Sequence, residues 1–570
     1  MDHGAMHYLD DSNILIFLIQ LFVLLLCARG LGELFHRWNQ PALTAELLVG
    51  IILGPTLFGR YLPGLHGMLF PPDVTQQNML ETVAWIGVLF LLLDTGLEMD
   101  FSVAWRHRGN ALVIALSDIV IPMVVAFIPC FFLPDYLLVD PDRRILFAMF
   151  MAAVMTISAM PVAARVLHDL RLLKTDLGFL TMSALAVNDL VGWVIFTIIL
   201  GMFSQTAFSI TPVVVIFVTT LCFTAVALRY GRAASTQALA FFNRQNLPEP
   251  GTSLTLACLL GLLFGTITQI LGVHALFGFF IAGVVIGEAK NLSEDSRRII
   301  SQMVHALFVP IFFANIGLKI DFVANFHLGL VLLVCLVGIS GRYLGAWIGV
   351  TMTKVPRMNR DLISIAHTPG GMMEIVVALV AMEAGLITAP VFVAIVFSAV
   401  FTSAAIGPWL RNAMKRRSSI SLLDYIGPDA ILADMTSLTR SEVIHALTGM
   451  AAEKMDAVKG EDMAVAALAR EEEFGTAVGG GLAIPHARLE GIISPVLAFG
   501  RIPRGVEWDA PDGQPVRYVF FLATPEGALD IHVQILSRIA KIMQSPEAVR
   551  TIEEAQSADE LWGVLTRLFI

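Results

Sequence analysis

Charge is scarce in this sequence. Only 15% of its residues are Asp, Glu, Lys or Arg, against about a quarter in an ordinary soluble domain. Apolar residues make up 56%, and mean hydropathy is +0.75. That composition excludes a wholly soluble chain; most of it must lie in lipid. Cysteine is scarce as well. Cys27, Cys130, Cys222, Cys258 and Cys335 all sit in apolar runs, so neither a disulfide framework nor a cysteine metal pattern follows. The one basic run is short, RNAMKRRSSI at 411–420. It suits anionic lipid headgroups, and no nucleic-acid partner is expected. The first residues, MDHGAMHYLDD, are acidic, and no small-residue cleavage site follows the first apolar run, so no cleaved leader is expected.

What is present divides the chain. Long apolar runs fill residues 1–412, a basic linker covers 413–424, and 425–570 has ordinary composition and domain size. The first part predicts an all-α polytopic membrane domain of about 13 transmembrane helices, each near 20 residues. The last part predicts an α/β domain. Arg106, Arg108, Arg171, Lys174, Arg229, Arg232, Arg297, Arg298, Lys354 and Arg357 fall on one side of these spans. Arg60, Arg143, Arg144 and Lys319 fall on the other. The positive-inside rule then places the N-terminus outside and the C-terminal domain in the cytoplasm of a multi-pass protein.

Two spans are interrupted at their centres. One reads AAVMTISAMPVAARVL, with Thr156, Ser158 and Pro161; the other reads ISIAHTPGGMMEIVVALV, with His367, Thr368, Pro369, Gly370 and Gly371. Proline removes a helix donor, and freed carbonyls in lipid need partners. Corresponding breaks in two halves of a chain point to inverted repeats and a midplane binding site. A pair of ordinary proline kinks is the plainer alternative.

Ionisable residues also stand inside apolar runs: Asp94 in VLFLLLDTGLEMD, Asn188 and Asp189 in ALAVNDLVGWVIF, Arg342 in LVGISGRYLGAWIG, and His367 and Glu374 near the second break. A charge at a membrane helix centre costs about 2.5–3.5 kcal/mol on insertion scales. Such residues call for a partner or a function. Carboxylates offer oxygen ligands to a hard cation. Asp189, Asn188, Asp94, Thr156 and Ser158 are the candidate cation ligands, and Arg342 the charge-compensating residue. A dry carboxylate can also hold a proton near neutral pH. A purely structural Asp94–Arg342 pair is the competing reading.

Order and spacing together resemble the cation/proton antiporter superfamily, over nearly all of the membrane domain. The resemblance rests on GELFHRWNQPALTAELLVGIILGPTLFG (32–59, with Pro41 and Glu46), FLLLDTGLEMD, VNDL, FVPIFFANIGLKID (308–321) and GRYLG (341–345). The layout is most similar to the second branch, which includes bacterial sodium/proton and potassium/proton exchangers. The Asn-Asp pair departs toward the electroneutral first branch. The resemblance implies that Asp189 binds the ion while Asn188 and Arg342 hold the span-three acid. It further implies a homodimer in a bacterial inner membrane, an elevator-type mechanism and one cation exchanged for one proton. Sodium is favoured and potassium stays open. No cofactor is expected beyond the transported ions, and the chain is expected to be a transporter rather than an enzyme.

In the last domain, REEEFGTAVGGGLAIPHA (470–487) leads through VRYVFFLA (516–523) to DIHVQILSRIAKIM (530–543). This resembles the enzyme IIA domain of the fructose/mannitol class in the bacterial sugar phosphotransferase system. The resemblance implies phosphorylation of His486, with Arg470 and His532 steadying the charge. It implies as partner the phosphocarrier protein of that system. A phosphoryl group brings about −1.5 to −2 charges, which near 411–417 could dock or release the domain. A IIA fold that has lost phosphoryl transfer is the alternative for this domain. For the whole chain the alternatives are a gated potassium efflux path and a sugar permease fused to its own IIA domain.

Overall fold

The computed structural model describes residues 10–37, 42–99, 108–173, 175–203, 210–289, 292–353, 355, 357–417, 421–436, 439–453, 459–492, 494–526 and 529–569. Pro41, Arg106, Lys174 and Lys354, named above, lie outside the described residues. Contacts divide the chain into two units, 1–413 and 414–570.

In chain order the first unit runs α1 (Asp11–Arg37), α2 (Ala42–Leu53), α3 (Val74–Glu98), α4 (Arg108–Phe131), α5 (Arg144–Val154), α6 (Met160–Asp169) and α7 (Asp176–Phe203). It continues with α8 (Ile210–Val226), α9 (Arg232–Arg244), α10 (Gly251–Ile270), α11 (Ala275–Gly287), α12 (Glu294–Met303) and α13 (Val309–Lys319). It closes with α14 (Leu328–Thr351), α15 (Arg357–Ala366), α16 (Met372–Glu383) and α17 (Ala389–Arg417). Single π-helical turns, Ala227–Gly231 and Val304–Phe308, carry α8 into α9 and α12 into α13.

Among the described residues, ten helices are long and apolar enough to cross a membrane, where the sequence pattern predicts about 13. The other three predicted spans are α11, with 13 residues, and the split pairs α5–α6 and α15–α16. The unit is apolar outside as well as inside. Leu15, Leu18, Phe22 and Leu26 of α1 are all more than half exposed, whereas Leu24 and Ala28 are buried. Such a surface is solvated by lipid, not water. Inside, Trp193 stacks on Phe280 at 6.1 Å and meets Phe196 edge-on at 5.8 Å.

Helix α14 approaches α4 closely because its facing residues lack side chains. A Cβ on Gly345 would lie 3.0 Å from Asp118 Cα and 2.9 Å from Pro122 Cδ. Small residues of this kind let membrane helices meet backbone to backbone. The contact brings Arg342, one turn earlier on α14, and Asp118 of α4 to the same level.

The second unit is α/β. Its elements are β1 (Ile431–Leu432), α18 (Arg440–Ala452), α19 (Gly460–Glu473), β2 (Ala477–Gly479), β3 (Leu482–Ala483), β4 (His486–Leu489), β5 (Val496–Val506), β6 (Val516–Pro525), α20 (Leu529–Met543), α21 (Pro546–Glu554) and α22 (Ala558–Phe569). The strands order β1-β5-β6-β3-β2, with β4 also on β6. The β6 run from Tyr518 to Thr524 is buried throughout, as expected of a strand covered on both faces. Parallel pairing sets His486 opposite Leu522, so the histidine stands at the carboxyl end of the central strand. A capping box between Thr439 and Glu442 starts α18.

Candidate functional site

The two broken spans meet. Helix α5 ends at Val154 and α6 begins at Met160; α15 ends at Ala366 and α16 begins at Met372. Between them the chains exchange hydrogen bonds. The Ala159 N–H donates to the Pro369 carbonyl at 2.7 Å, and Ser158 Oγ donates to the His367 carbonyl at 2.9 Å. Helix α17 completes the set: Thr402 Oγ1 accepts from Gly370 N–H at 2.9 Å, and Ser403 Oγ donates to the Gly370 carbonyl at 2.5 Å. Unwound backbone at this depth is tolerated because each freed group finds such a partner. Pro161 does not itself break the helix. It lies in the first turn of α6, where its missing N–H costs nothing and its fixed φ helps. Gly371 is needed for closeness, since a Cβ there would fall 2.4 Å from Ala159 Cβ.

Four half-helix ends face one another, and each end carries a partial charge. Arg342 answers the two carboxyl ends. Its guanidinium donates to the Val154 carbonyl at 3.4 Å and to the Thr368 carbonyl at 3.3 Å. The same group pairs with Glu374 at 3.0 Å, and neither side chain has any solvent exposure. Glu374 sits in the first turn of α16, the place where a helix favours an anion.

Beside this pair lies a second buried network. Asn188 Nδ2 donates to Asp118 Oδ2 at 2.8 Å and more weakly to the Asp118 carbonyl at 3.4 Å. His367 Nδ1–H donates to the same Oδ2 at 2.7 Å. Asp118, Asn188 and His367 are fully buried, and Asp189 is 1% exposed. Neither carboxylate oxygen of Asp189 is hydrogen-bonded to any described residue. Thr156 and Ser158 are buried on the facing crossover, with Thr156 Oγ1 donating to the Ala153 carbonyl.

The expectation that Asn188 and Arg342 hold Asp94 is therefore corrected. Asp94 accepts from Ser301 Oγ at 3.2 Å and from His305 Nε2 at 3.1 Å. The reason is packing. Its helix, α3, lies against α11 and the α12–α13 stretch. The Asn188 and Arg342 side chains are instead met by α4 and α16. The competing reading of an Asp94–Arg342 pair falls for the same reason. Asp118 was missed, although ALVIALSDIVIPM carries the same signal as Asp94: one carboxylate in an apolar span.

In the second unit, His486, Arg470 and His532 line one open depression of about 950 Å³, together with Arg488, Glu473 and Glu526. The two imidazoles meet edge-on, 4.8 Å between ring centroids. His486 Nδ1 is 2.9 Å from the Ile484 carbonyl. A carbonyl only accepts, so Nδ1 carries the proton and Nε2 keeps a free lone pair. Burial lowers the His486 pKa below its ordinary 6.5, and the Arg470 and Arg488 charges add to this. Burial lowers His532 further, to about 4, again helped by neighbouring positive charge. His532 is thus neutral at pH 7; its Nδ1 lies 2.9 Å from Thr524 Oγ1. Arg488 was missed. It lies two residues beyond His486 on β4, the spacing that puts side chains on one face of a strand. Arg470 stacks on Phe474 at 5.0 Å and pairs with Glu473 at 3.6 Å.

Two broken helices that cross at their interruptions, with buried ionisable side chains beside them, are the layout of a secondary transporter. Sequence comparison gives the family. The model for "Sodium/hydrogen exchanger, transmembrane" matches residues 21–415, and the chain belongs to that family. Residues 424–567 match "Phosphoenolpyruvate-dependent sugar phosphotransferase system, EIIA 2". The protein is thus a cation/proton antiporter domain fused to a type-2 IIA domain, and its membrane half is of the exchanger kind, not a sugar permease. The Na(+)/H(+) antiporter NhaS4 of Synechocystis is 28% identical over 412 residues, 70% of this chain and 97% of that protein. Cation/H(+) antiporter 17 of Arabidopsis thaliana is 29% identical over 414 residues, and K(+)/H(+) antiporter 1 of Saccharomyces cerevisiae 27% over 399. The matches take in 72% and 68% of this chain but only 49% and 45% of those relatives, about half their length. Among solved structures, the sodium proton antiporter MjNhaP1 of Methanocaldococcus jannaschii shares the membrane fold, with TM-score 0.51 at 17% identity, covering 71% of this chain and 98% of that one.

Proposed function

We propose that this protein exchanges one monovalent cation for one proton, with Asp189 as the group that alternates between them. The observation that carries this reading is the Asp189 carboxylate, buried at 1% exposure with both oxygens unbonded to any described residue. A buried polar group that the protein does not satisfy calls for another partner. A proton or a cation meets that need, and two competing partners make an exchanger. Asn188, Thr156 and Ser158, all buried, are the proposed sources of further oxygen ligands. Arg342 and Glu374 cancel one another, and Asp118 is engaged at Oδ2 by His367 and Asn188, whereas its Oδ1 has no partner among the described residues. One free carboxylate then trades one H+ for one monovalent cation without net charge movement. Such exchange escapes the roughly 2.3 kcal/mol per charge per 100 mV that a voltage-driven step feels.

Sodium is the favoured ion, by the Asn-Asp pair and the name of the Synechocystis relative. Potassium is the alternative, by the name of the yeast relative. Alternating access by an elevator motion fits two unequal recesses. One, about 230 Å³, is lined by Arg29, Glu33, Glu46, Arg165 and His305. The other, about 20 Å³, lies between Glu81, Asn315, Lys319 and Glu383, where Lys319 bridges Glu81 at 2.9 Å and Glu383 at 3.8 Å. With the N-terminus outside, the larger recess faces the cytoplasm of a bacterial inner membrane, and the protein works as a homodimer. On this reading about 13 segments cross the membrane, α11 and the two split pairs included. The IIA domain is cytoplasmic and takes a phosphoryl group on His486 Nε2 from a phosphocarrier protein, so that phosphorylation adjusts exchange.

The test is uptake of radioactive sodium or rubidium by proteoliposomes under an imposed pH gradient, with the membrane potential clamped. Wild-type protein takes up cation as protons leave, at a rate indifferent to the clamp, and Asp189→Asn does not. Cation flux without proton flux would instead identify a channel.

A further inference from the structure

His532 is neutral, so its ring carries one proton, on Nδ1 or on Nε2. What lies against Nδ1 decides between them. Parallel pairing of β4 with β6 sets His486 opposite Leu522 and Arg488 opposite Thr524. Residues two apart share one face of a strand, so Thr524 stands on the His486 face of the sheet. Thr524 has no solvent exposure. Its Oγ1 lies 2.9 Å from His532 Nδ1, and this hydroxyl makes no other hydrogen bond among the described residues. A hydroxyl brings one proton that, once buried, needs an acceptor. A protonated Nδ1 would leave that proton without one, whereas a bare Nδ1 takes it. The Thr524 hydroxyl therefore donates to Nδ1, and the ring's own proton sits on Nε2.

The two histidines are thereby set in opposite tautomers. At His486 the Ile484 carbonyl, 2.9 Å away, holds the proton on Nδ1 and leaves Nε2 a lone pair. At His532 the Thr524 hydroxyl occupies the Nδ1 lone pair and leaves Nε2 an N–H. In each ring Nδ1 is engaged, so Nε2 is the nitrogen left for the depression that both residues line, their rings edge-on at 4.8 Å. One ring is fitted to attack phosphorus and the other to donate to an oxygen. The other tautomer of His532 would bring a second lone pair, which repels phosphoryl oxygens and competes as a nucleophile.

We infer that Thr524 is a positioning residue for phosphoryl transfer: its hydroxyl fixes the ring and the tautomer of His532, so that His532 donates its Nε2–H to a phosphoryl oxygen and His486 alone takes the phosphoryl group. The inference rests on the phosphorylation reading above and adds what separates the roles of the two histidines. In the transfer, the His486 Nε2 lone pair forms the new P–N bond as the donor's P–N bond breaks, and the electron pair of that bond leaves with the donor's nitrogen. His486 Nδ1 keeps its proton, held by the Ile484 carbonyl. Arg470 and Arg488 bring positive charge to the depression; His532 brings a neutral donor with a fixed direction.

The experiment incubates purified full-length protein with phosphoramidate, a small phosphoryl donor, and follows phosphohistidine at His486 and at His532, which fall in different tryptic peptides. Wild-type protein is expected to carry the phosphoryl group on His486 alone. Thr524→Val keeps the side-chain shape and removes the hydroxyl; uptake at His486 should fall about tenfold, the scale of one lost hydrogen bond to a charged group. Thr524→Ser keeps the hydroxyl and loses a methyl; uptake should stay within about threefold of wild type. A packing role predicts the reverse order, and that result, or equal rates for the two variants, overturns the inference. Should Thr524→Val fail to fold, Thr524→Ala is compared with Thr524→Ser, from which it differs by the hydroxyl alone. Magic-angle-spinning NMR of the full chain in liposomes, labelled with nitrogen-15 histidine, reads the tautomer directly, with His532 assigned by difference from His532→Gln. The His532 proton should lie on Nε2; a proton on Nδ1 overturns the inference. If wild-type protein takes no phosphoryl group, or His486→Gln takes as much, the phosphorylation reading fails and the inference with it. A phosphorylated His486 whose rate ignores the residue at 524 sinks the inference alone.

Discussion

Arg342 and Glu374 form an ion pair at 3.0 Å in which both side chains are completely removed from solvent. The pair stands where two helix carboxyl ends and one helix start converge, so each charge also answers a backbone dipole. Removing one partner leaves an unpaired charge in the dry interior, a change that costs about 3–5 kcal/mol. Arg342→Met and Glu374→Met are each expected to lower the thermal midpoint of the detergent-purified protein strongly. The double variant should recover a large part of the loss, because two apolar side chains of similar volume leave no charge unpaired. Additive losses would mean that the two residues act separately.

Gly371 approaches Ala159 where the two crossovers touch. A methyl at 371 would lie 2.4 Å from the Ala159 Cβ, so one strand must move. Gly371→Ala is expected to cost about 1–3 kcal/mol, the usual range for overpacking, and to slow exchange. Ala159→Gly in the same protein should restore both. Restoration of stability without restoration of exchange would show that the crossover matters for more than fit.

Lys319 joins Glu81 of α3 to Glu383 of α16. All three are partly exposed, so the bridges carry little stability, roughly 0–1 kcal/mol each. Their expected effect is on which face is open. Lys319→Glu would set three carboxylates together and should open the narrow recess. A cysteine placed at Asn315, which lines it, should then react faster with an impermeant thiol reagent added outside. An unchanged reaction rate would argue against a closed outer face held by this bridge.

The soluble unit makes a pH prediction with a definite sign. His486 has a lowered pKa, so its neutral, nucleophilic form persists below pH 6.5. Phosphoryl uptake from a phosphorylated carrier protein should stay level from pH 8 to about 6.5 and fall only at lower pH. Arg488→Ala should slow uptake about tenfold by removing one charge-assisted contact to the incoming phosphoryl group. A decline that begins above pH 6.5 would contradict the assignment. His532, lowered from 6.5 to about 4, binds fewer protons folded than unfolded. Its contribution to stability is therefore complete above pH 6.5 and is lost as pH falls toward about 4. Hydrogen exchange of β6 in the intact chain should accelerate over that window.

How much of this was legible beforehand follows from particular residues. The broken spans were readable because Thr-Ile-Ser and His-Thr-Pro-Gly-Gly interrupt runs that are otherwise apolar. Asn188 and Asp189 stood out because a polar pair in a helix centre is costly. His486 was readable from its motif. Partners were not readable. Nothing in the order of residues says that α4, not α3, meets α14; that follows from a glycine face on α14 against Asp118 and Pro122, a matter of packing. The sequence therefore paired Arg342 with Asp94 where the fold pairs it with Glu374. Asp118 was within reach of the rule that singled out Asp94. Arg488 needed the strand register, which puts it on the His486 face. The protonation of His532 depends on burial and on neighbouring charge that only the assembled site supplies.

The central claim is that a proton and a cation compete for the Asp189 carboxylate. Proton release on cation binding tests this without membranes or gradients. Purified protein in weakly buffered detergent solution is titrated with sodium and then with potassium at fixed pH, and released protons are counted with a pH indicator. The account predicts about one proton released per cation bound when Asp189 is protonated at the start, and none from Asp189→Asn. Cation binding with no proton release, or the same release from Asp189→Asn, would contradict it.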